Sequence, residues 1–324
     1  MMSTLTPQIR RHCVHFLRAM RRAMPKGWKT TLWLLEIMLP ISLAVMLLKY
    51  FGVIDFLAIY LDPVFRHIGL PGSSSVVFLT GAFVTTYAGI AAMLSFALTL
   101  RQATILALMM CLCHALPMEC AVTHRTGSSF FGMMILRLCM AFVCAFLLNL
   151  VLPEYAEPFG MVGDMTDATT LVGVLVEWLN ASWRMALLVF VIVYLLMVVQ
   201  SLLEEYDLIR PLSRPLRPLM SLFGLPRDAA YLWLVGNVLG ISYGAAVMFD
   251  LIKSGKITKE EANEMNFHLA MNHSLIEDTS VFAAIGIGAG WIVGVRLFFA
   301  LVVVWARRLM GKCLFRAKRN RATL

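Results

Sequence analysis

Charged residues are scarce in this chain. Only 15% of its 324 residues are Asp, Glu, Lys or Arg, only 19 residues are acidic, and 60% are hydrophobic. A soluble domain usually carries about 25% charged residues, and the mean hydropathy of +0.79 is too high for a water-facing surface. This scarcity excludes a cytosolic enzyme, a secreted disulfide scaffold and a DNA reader. It indicates a polytopic membrane protein.

Three sequence signatures are also missing. No G-x-x-x-x-G-K-[ST] motif occurs, so no built-in nucleotide motor is visible. The 7 cysteines are an odd number and lie mostly inside apolar runs, which implies no disulfide framework. The first thirty residues are basic, with no short apolar core and no cleavage site, so they are not a signal peptide. We expect residues 1–26 to form a cytoplasmic basic amphipathic leader on the inner leaflet; a disordered basic leader is the alternative.

Six apolar runs are long enough to span a bilayer, whose core of about 30 Å needs roughly 20 helical residues. They are 31–49, 104–123, 130–152, 184–203, 265–287 and 290–306. Two further apolar stretches, 73–100 and 228–252, are interrupted by glycines and carry hydroxyl or amide side chains. Each suits two half-helices that enter the membrane and return. We therefore expect a re-entrant hairpin in each, preceded by an interfacial helix near 54–68 and 206–222.

The chain contains an internal repeat. A shift of 155 residues aligns the Gly-Leu-Pro at Gly69 with the same tripeptide at Gly224, and a shift of 159 aligns His114 with His273. Apolar bias alone would match Leu with Leu, not Gly, Pro and His in register. The predicted segments are repeat 1 over 27–152 (gate copy 1, as named below), an external acidic loop over 153–179, repeat 2 over 180–310 (gate copy 2) and a cytoplasmic basic tail over 311–324.

Positive charge predicts how the two halves are oriented. If both glycine-broken stretches are hairpins, 22 of the 28 Lys and Arg residues lie inside and three lie outside. If both cross fully, the inside count falls to 18 and the outside count rises to seven, against the positive-inside rule. Three crossings per half make the halves inverted. The sequence thus predicts an all-α integral membrane protein of two inverted repeats, each with three spans, a re-entrant helical hairpin and an interfacial helix.

Two of the predicted spans carry ionisable side chains at matching positions: His114 and Glu119 in one, His273 and Asp278 in the other. A charged group at a helix centre costs roughly 2.5–3.5 kcal/mol, so such residues face a bundle interior or a wet cavity and indicate function. The residues predicted to line a substrate or ion pathway are His114, Glu119, Asn272, His273, Glu277, Asp278, Thr85, Thr86, Asn237 and Ser242. The alternative is a structural His–carboxylate network that holds the two halves together.

Three further residues are expected to shape this region. Arg137 and Arg296 form a repeat-matched basic pair that is expected to support the buried charge, although snorkelling toward the interface explains them as well. Pro117 is expected to unwind the first of these spans near His114, because proline removes a backbone donor.

A metal site has to be weighed, because imidazole, thiolate and carboxylate side chains can bind Fe(II) or Zn(II). The candidate ligands are Cys113, His114, Glu119, Cys120 and His273. The two cysteines have no cysteine counterparts in repeat 2, where Asn272 and Thr279 stand. A closed structural site is therefore not expected, and a transient transport site remains open.

The segment Gly81-Ala82-Phe83…Tyr87-Ala88-Gly89, followed by His114-Ala115-Leu116-Pro117-Met118-Glu119, resembles the nucleoside-recognition or gate domain. Residues 234–248 with 272–278 resemble a second gate copy. This domain occurs in bacterial and archaeal membrane proteins, in spore-maturation membrane proteins and in the membrane part of the ferrous iron transporter B family. The element order also resembles concentrative nucleoside transporters. The resemblance implies a solute or ion pathway between two gate copies, without specifying the substrate.

The sequence predicts a secondary transporter or permease for a small polar solute, nucleoside-like or other, with a midplane site between the repeats. Coupling to protons is a further expectation, because histidine titrates near neutral pH. The alternatives are a divalent metal ion permease of the ferrous type and a non-transporting membrane scaffold or assembly protein. We expect no enzymatic activity, no cofactor and no nucleic-acid partner. The expected partners are the lipid bilayer and a small-molecule or ion substrate, with a homo-oligomer left open.

The expected location is the cytoplasmic (inner) membrane of a bacterium or archaeon, with both termini in the cytoplasm. On a cysteine-free background, single cysteines at positions 101 and 160 should react with an impermeant thiol reagent added to intact cells, whereas a cysteine at position 125 should not. The inverted arrangement puts the first two outside and the third inside. Permeabilised cells provide the control for reagent access. Labelling at 125 without labelling at 101 would mean that the halves are parallel.

Overall fold

The computed structural model describes residues 7–154, 157–159 and 170–321, with side chains for all of these except 7–13, 54, 55, 57, 242 and 311–321. Within that part of the chain, five helices are long and apolar enough to cross a membrane. They are Val14–Tyr50, Leu100–Arg125 (which contains a break), Phe130–Val151, Leu171–Glu205 and Ala289–Met310. The prediction of an all-α integral membrane protein is confirmed.

The two halves share one order of helices: a long helix, one or two short helices, a pair of half-length helices, a broken helix and a final long helix. The first half contains α1 (Pro7–Tyr50), α2 (Val53–Arg66), α3 (Ser74–Phe83), α4 (Thr86–Met93), β1 (Leu98–Thr99), α5 (Leu100–Leu112), α6 (Leu116–Arg125) and α7 (Phe130–Val151). The short strand β2 (Pro158–Phe159) pairs antiparallel with β1. The second half contains α8 (Leu171–Glu205), α9 (Ile209–Ser213), α10 (Arg217–Leu222), α11 (Ala230–Val238), α12 (Ile241–Lys253), α13 (Lys259–Asn272), α14 (Leu275–Ala284) and α15 (Ala289–Arg321). Single 3-10 turns at Arg214–Leu216 and Arg227–Ala229 precede α10 and α11.

The predicted segment boundaries at 26, 180 and 310 fall inside helices. α1 runs without a break through the leader into the first span, α8 begins within the predicted acidic loop, and α15 continues into the predicted tail. From Pro7 onward the leader is helical, and α8 packs beside it and ends in a charge cluster. Glu205 accepts bonds there from His15 at 2.9 Å and from Arg22 at 2.7 Å. The position of this end at the cytoplasmic leaflet stays a prediction.

α1 and α8 are equivalent helices of the two repeats, and they pack side by side in opposite directions. At one end Arg22 contacts Glu205. At the other end the indole Nε1 of Trp178 donates to Ser42 Oγ at 3.0 Å. Residue numbers therefore rise along α1 where they fall along α8. Inverted repeats require this antiparallel relation, and their orientation in a bilayer stays a prediction.

A contact between two glycines shows that the stretch 73–100 turns back on itself. A Cβ placed on Gly89 would lie 2.9 Å from the Cα of Gly81. In a continuous helix, residues eight apart are separated by roughly 12 Å. α3 and α4 therefore form a helical hairpin, hereafter hairpin 1, and the Thr85 hydroxyl at its turn accepts the Ala88 amide at 3.1 Å to cap α4.

The second glycine-broken stretch, 228–252, folds in the same way. A Cβ on Gly244 would lie 3.2 Å from the Cα of Gly236, so α11 and α12 form hairpin 2. The turn passes through Gly240, whose φ of 86° lies in the left-handed region that glycine adopts without strain. Re-entry of the two hairpins into a bilayer stays a prediction.

The predicted span 265–287 is not among the five long apolar helices. α13 and α14 divide it at His273 and Ser274, and the first turn of α13 carries Lys259, Glu260 and Glu261. Its equivalent in repeat 1, α5 with α6, is divided at the matching place. Both breaks lie at the centre of the candidate site.

We expect Gly89→Ala to lower the free energy of unfolding by about 1–3 kcal/mol, the usual range for an overpacked core. The added methyl group would lie 2.4 Å from Met110 Sδ and 2.9 Å from the Gly81 backbone, and the backbone cannot move aside as a side chain can. Gly294→Ala is the matched control, because nothing lies within 4 Å of a Cβ on that helical glycine. Chemical unfolding of the purified protein in detergent measures both. Equal stability of the two variants would argue against the close hairpin.

Candidate functional site

Each broken span is docked onto the hairpin of its own repeat. Ala115 (φ 44°) and Ser274 (φ 53°) begin α6 and α14 in the left-handed conformation. This conformation costs a non-glycine residue roughly 1–2 kcal/mol. It turns the Ala115 amide toward the Gly81 carbonyl and the Ser274 amide toward the Gly236 carbonyl, both at 3.1 Å. The glycines allow the two backbones to approach this closely.

The span in repeat 1 is unwound near His114, as expected, at residues 113–115. Pro117 lies in the first turn of α6, where its missing N–H has no helical partner. Because a proline disfavours helix in the turn that precedes it, its position fits the break. Repeat 2 is broken at the same position although Ile276 stands there.

Two buried arginines bind the backbone carbonyls that the breaks leave free. Arg137 Nε donates to the carbonyl of Leu112 at 2.9 Å, and Arg296 Nε donates to that of Met271 at 3.1 Å. Both side chains are almost fully buried, with 2% and 0% exposure. The Arg296 guanidinium also donates to the His273 carbonyl. Each arginine therefore stabilises the end of the helix that precedes its break.

The same arginines form ion pairs with the two buried carboxylates. Arg137 Nη1 lies 2.5 Å from Glu119 Oε2, and Arg296 Nη1 lies 2.8 Å from Asp278 Oδ2. A buried charge is tolerated only when it is paired and hydrogen-bonded. The guanidinium groups are thus directed into the bundle, not outward as snorkelling would require.

Three side chains converge where the two repeats meet. His114 Nε2, His273 Nε2 and Glu119 Oε1 lie 3.1 Å from one another in every pairing. All three residues are buried. One histidine comes from each repeat, and Glu119 comes from repeat 1. We call this group the His–His–Glu cluster.

Backbone carbonyls fix the orientation of both imidazole rings. His114 Nδ1 donates to the Met110 carbonyl at 2.9 Å, and His273 Nδ1 donates to the Leu269 carbonyl at 2.7 Å. A carbonyl only accepts, so each Nδ1 carries a proton. The Nε2 atoms of both rings then face the centre of the cluster.

A cavity of about 410 Å³ leads toward this region from one end of the α1–α8 pair. Lys26 and Glu204 line its outer part, and Glu277 lies among its lining residues. Glu277 is the residue before Asp278, and its Oε1 accepts a hydrogen bond of 2.9 Å from the hydroxyl of Tyr87 on hairpin 1. The cavity thus joins the charged end of α1 and α8 to a polar pair beside the cluster.

A smaller cavity of about 70 Å³ lies at the opposite end of α1 and α8. Ser42 and Ala181 line it, and they are the repeat equivalents of Met197 and Lys26 in the larger cavity. The two cavities therefore occupy equivalent places in the two repeats, although their volumes differ.

The other predicted pathway residues do not join the cluster. Asn272 Oδ1 accepts a bond of 3.1 Å from His268 Nδ1, and the Asn237 amide donates to the Trp233 carbonyl at 2.9 Å. Thr86 is buried at the start of α4. Thr85 caps that helix, as described above. Ser242 lies outside the described side chains.

Two of the five candidate metal ligands, Cys113 and Cys120, do not lie with the other three. Among the described residues, the one group of His, Cys, Asp and Glu donors close enough to share an ion is His114, Glu119 and His273, within 4.8 Å of one another. Cys120 follows Glu119 on α6 and is therefore turned by about 100° around the helix axis. Cys113 lies in the break itself and is fully buried.

Sequence reasoning named Tyr87 only as part of the gate-like segment, without a role of its own, and it missed the two left-handed residues as parts of the site. Tyr87 has no aromatic counterpart in repeat 2, where Ser242 stands, so the repeat gave no signal for it. Ala115 and Ser274 each follow an aligned histidine. That shared position was the available signal for a common backbone break.

We expect Arg296→Met to lower the free energy of unfolding by about 3–5 kcal/mol, because it leaves the Asp278 carboxylate buried without its partner. The double variant Arg296→Met/Asp278→Asn should lose less than the sum of the single variants, since it removes both charges. The matched control is Arg217→Met, which breaks an exposed pair with Asp228 and should cost no more than about 1 kcal/mol. Unfolding of the purified proteins in detergent measures all of these. An additive double variant would contradict the pairing.

Comparison with known proteins agrees with an integral membrane protein. Residues 31–148 match the family described as "Gate: Nucleoside recognition". The chain is also 28% identical over 283 residues to the uncharacterized membrane protein YvoD of Bacillus subtilis (strain 168), which covers 86% of this chain and 91% of YvoD. No solved structure matches. The chain is a multi-pass membrane protein, and its resemblance to the nucleoside-recognition (gate) family is confirmed over residues 31–148.

Proposed function

We propose that this protein is a secondary transporter or permease for a small polar solute, with its site between two inverted repeats. The observation that carries this proposal is the cavity of about 410 Å³ that reaches Glu277. Its volume lies within the range of roughly 300–1,000 Å³ that is usual for small-molecule sites. The cavity at the other end, at about 70 Å³, is far below that range.

The difference between the two hairpins supports alternating access. On hairpin 1, Ala88 and Ala91 are fully buried, and Ala91 packs with α1 and α8. Their repeat equivalents on hairpin 2, Tyr243 and Ala246, are exposed, and Tyr243 lines the larger cavity. A transporter built from inverted repeats exposes one site to each side in turn. One open and one closed cavity at equivalent places fit one state of that cycle.

The chemistry at the inner end of the cavity fits a polar solute. The carboxylate of Glu277 accepts hydrogen bonds, and the hydroxyl of Tyr87 both donates and accepts them. Solute hydroxyl or amide groups could replace the bond that these two side chains make with each other. A nucleoside-like solute is the first class to test, because residues 31–148 match the nucleoside recognition family.

The proposal also states which membrane the protein occupies and toward which side the larger cavity opens. Lys26 and Glu204 at its outer part belong to the end of α1 and α8 that the charge distribution assigns to the cytoplasm. We therefore propose a bacterial or archaeal cytoplasmic membrane with both termini inside, and a cavity that opens inward. The family match supports transport over an enzymatic role.

The test is uptake by proteoliposomes of radiolabelled nucleosides, nucleobases, amino acids and small organic acids. We expect at least one class to enter faster than into protein-free liposomes. Glu277→Gln should reduce that uptake at least about tenfold, because a hydrogen bond to a charged group contributes about 1.5–3 kcal/mol. An imposed pH gradient tests proton coupling in the same assay.

Asp228→Asn is the matched control, since this exposed carboxylate pairs with Arg217 and does not line the cavity. It should leave uptake unchanged. The proposal fails if no solute class enters above the protein-free background, or if Glu277→Gln and Asp228→Asn behave alike.

A further inference from the structure

The His–His–Glu cluster brings three potential ligand atoms to one point. The backbone bonds of the two histidines place a proton on each Nδ1, so the Nε2 atom of a neutral ring carries a lone pair, and the two Nε2 atoms lie 3.1 Å apart. Glu119 Oε1 is an acceptor and lies 3.1 Å from both nitrogens. The close approach of these three atoms requires a positive charge among them, either a proton or a metal cation.

The distances match the requirements of a transition metal. Zn–N and Zn–O bonds of roughly 2.0–2.1 Å at tetrahedral angles separate neighbouring ligand atoms by about 3.3–3.4 Å. The three donor atoms, at 3.1 Å from one another, are therefore within a few tenths of an ångström of one face of that tetrahedron. The fourth position is left for water or solute, as in sites where the metal exchanges ligands.

The groups that hydrogen-bond to the three donor residues also fit a transition metal ion. Metal-binding histidines almost always donate their second nitrogen to a carbonyl or carboxylate, as His114 does to Met110 and His273 does to Leu269. Arg137 holds the other oxygen of Glu119 at 2.5 Å and so orients the carboxylate.

The charged groups beside the cluster do not exclude an added cation. Glu119 and Asp278 are balanced by Arg137 and Arg296. Glu277 is half-buried, lines the larger cavity and bonds to the neutral hydroxyl of Tyr87.

We propose that His114, Glu119 and His273 together bind one divalent transition metal ion of the Zn(II) or Fe(II) type at the junction of the two repeats. Two imidazoles and one carboxylate suit these ions better than Mg²⁺ or Ca²⁺, which prefer oxygen ligands. The inference goes beyond the proposed function, since it concerns an ion that joins the two repeats whichever solute passes.

The experiment is titration of the purified, chelator-stripped full-length protein in detergent with Co(II), followed by its visible absorption. We expect one ion per chain in a tetrahedral spectrum, displaced by Zn(II). His114→Gln, His273→Gln and Glu119→Gln should each weaken binding at least roughly a hundredfold, since even supporting residues of metal sites contribute 10–100-fold. Size-exclusion chromatography checks that each variant is folded.

Two controls separate the cluster from other ligands. His124→Gln removes a histidine on the same helix that bonds to the Ser128 carbonyl, and it should leave binding unchanged. The double variant Cys113→Ser/Cys120→Ser should also bind, because both thiols lie outside the cluster. Loss of binding in either control would overturn the assignment.

X-ray absorption of the Zn(II)-loaded wild-type protein gives a readout that does not depend on variants. We expect nitrogen and oxygen ligands, with imidazole scattering and no sulfur. Absence of saturable Co(II) binding, a sulfur ligand, or unchanged binding in a folded His273→Gln variant would each overturn the proposal. Solute uptake in chelator-treated proteoliposomes is a separate measurement, so failure of the metal site is distinguishable from failure of transport.

Discussion

Two helices break inside the apolar bundle, and each break frees backbone groups that hydrocarbon cannot satisfy. The structure meets this constraint in the same way twice. The amide after each break bonds to a hairpin glycine, Gly81 or Gly236, and a buried arginine, Arg137 or Arg296, takes the carbonyl before it. A buried guanidinium in turn requires a buried carboxylate. The glycine hairpins, the arginines and the acidic residues therefore form one connected solution to the two broken helices.

The acidic side chains of the two copies differ in length, and this difference determines which repeat supplies the carboxylate of the His–His–Glu cluster. Glu119 has one methylene more than its repeat equivalent Asp278. It therefore spans from its arginine to both histidines, whereas Asp278 pairs with Arg296. The broken helices, arginines and hairpin glycines are thus arranged almost symmetrically about His114 and His273, whereas the carboxylate of the cluster comes from one repeat only. Tyr87, which repeat 2 lacks, adds a second one-sided contact through Glu277.

The alignment of the two repeats in the sequence allowed most of the fold and part of the site to be predicted. It paired His114 with His273 and Arg137 with Arg296, and glycines eight residues apart marked both hairpins. The sequence named the three residues of the His–His–Glu cluster among five candidate ligands, but it could not predict which of the five converge, because that depends on how the two repeats meet in space. Pro117 fits the break that precedes it, but repeat 2 breaks at the matching position without a proline, so the break does not depend on Pro117 alone. The predicted leader boundary at residue 26 lies inside α1, because a change from basic to apolar residues does not interrupt helical hydrogen bonding and α1 packs against α8 on both sides of it.

Contacts that occur in both repeats and contacts that occur in only one respond differently when the two halves exchange conformations. The arginine–carbonyl bonds and the glycine crossings occur in both halves, so an exchange of conformation between the halves leaves them intact. The contact between His114 and His273 joins equivalent residues, so the same exchange preserves it. The packing of Ala88 and Ala91 on hairpin 1, by contrast, has no counterpart at Tyr243 on hairpin 2. Under the proposed function, movement is therefore confined to the surfaces between the hairpins and the α1–α8 pair. The two broken helices then remain fixed around the cluster while cavities open toward it from one end and then the other.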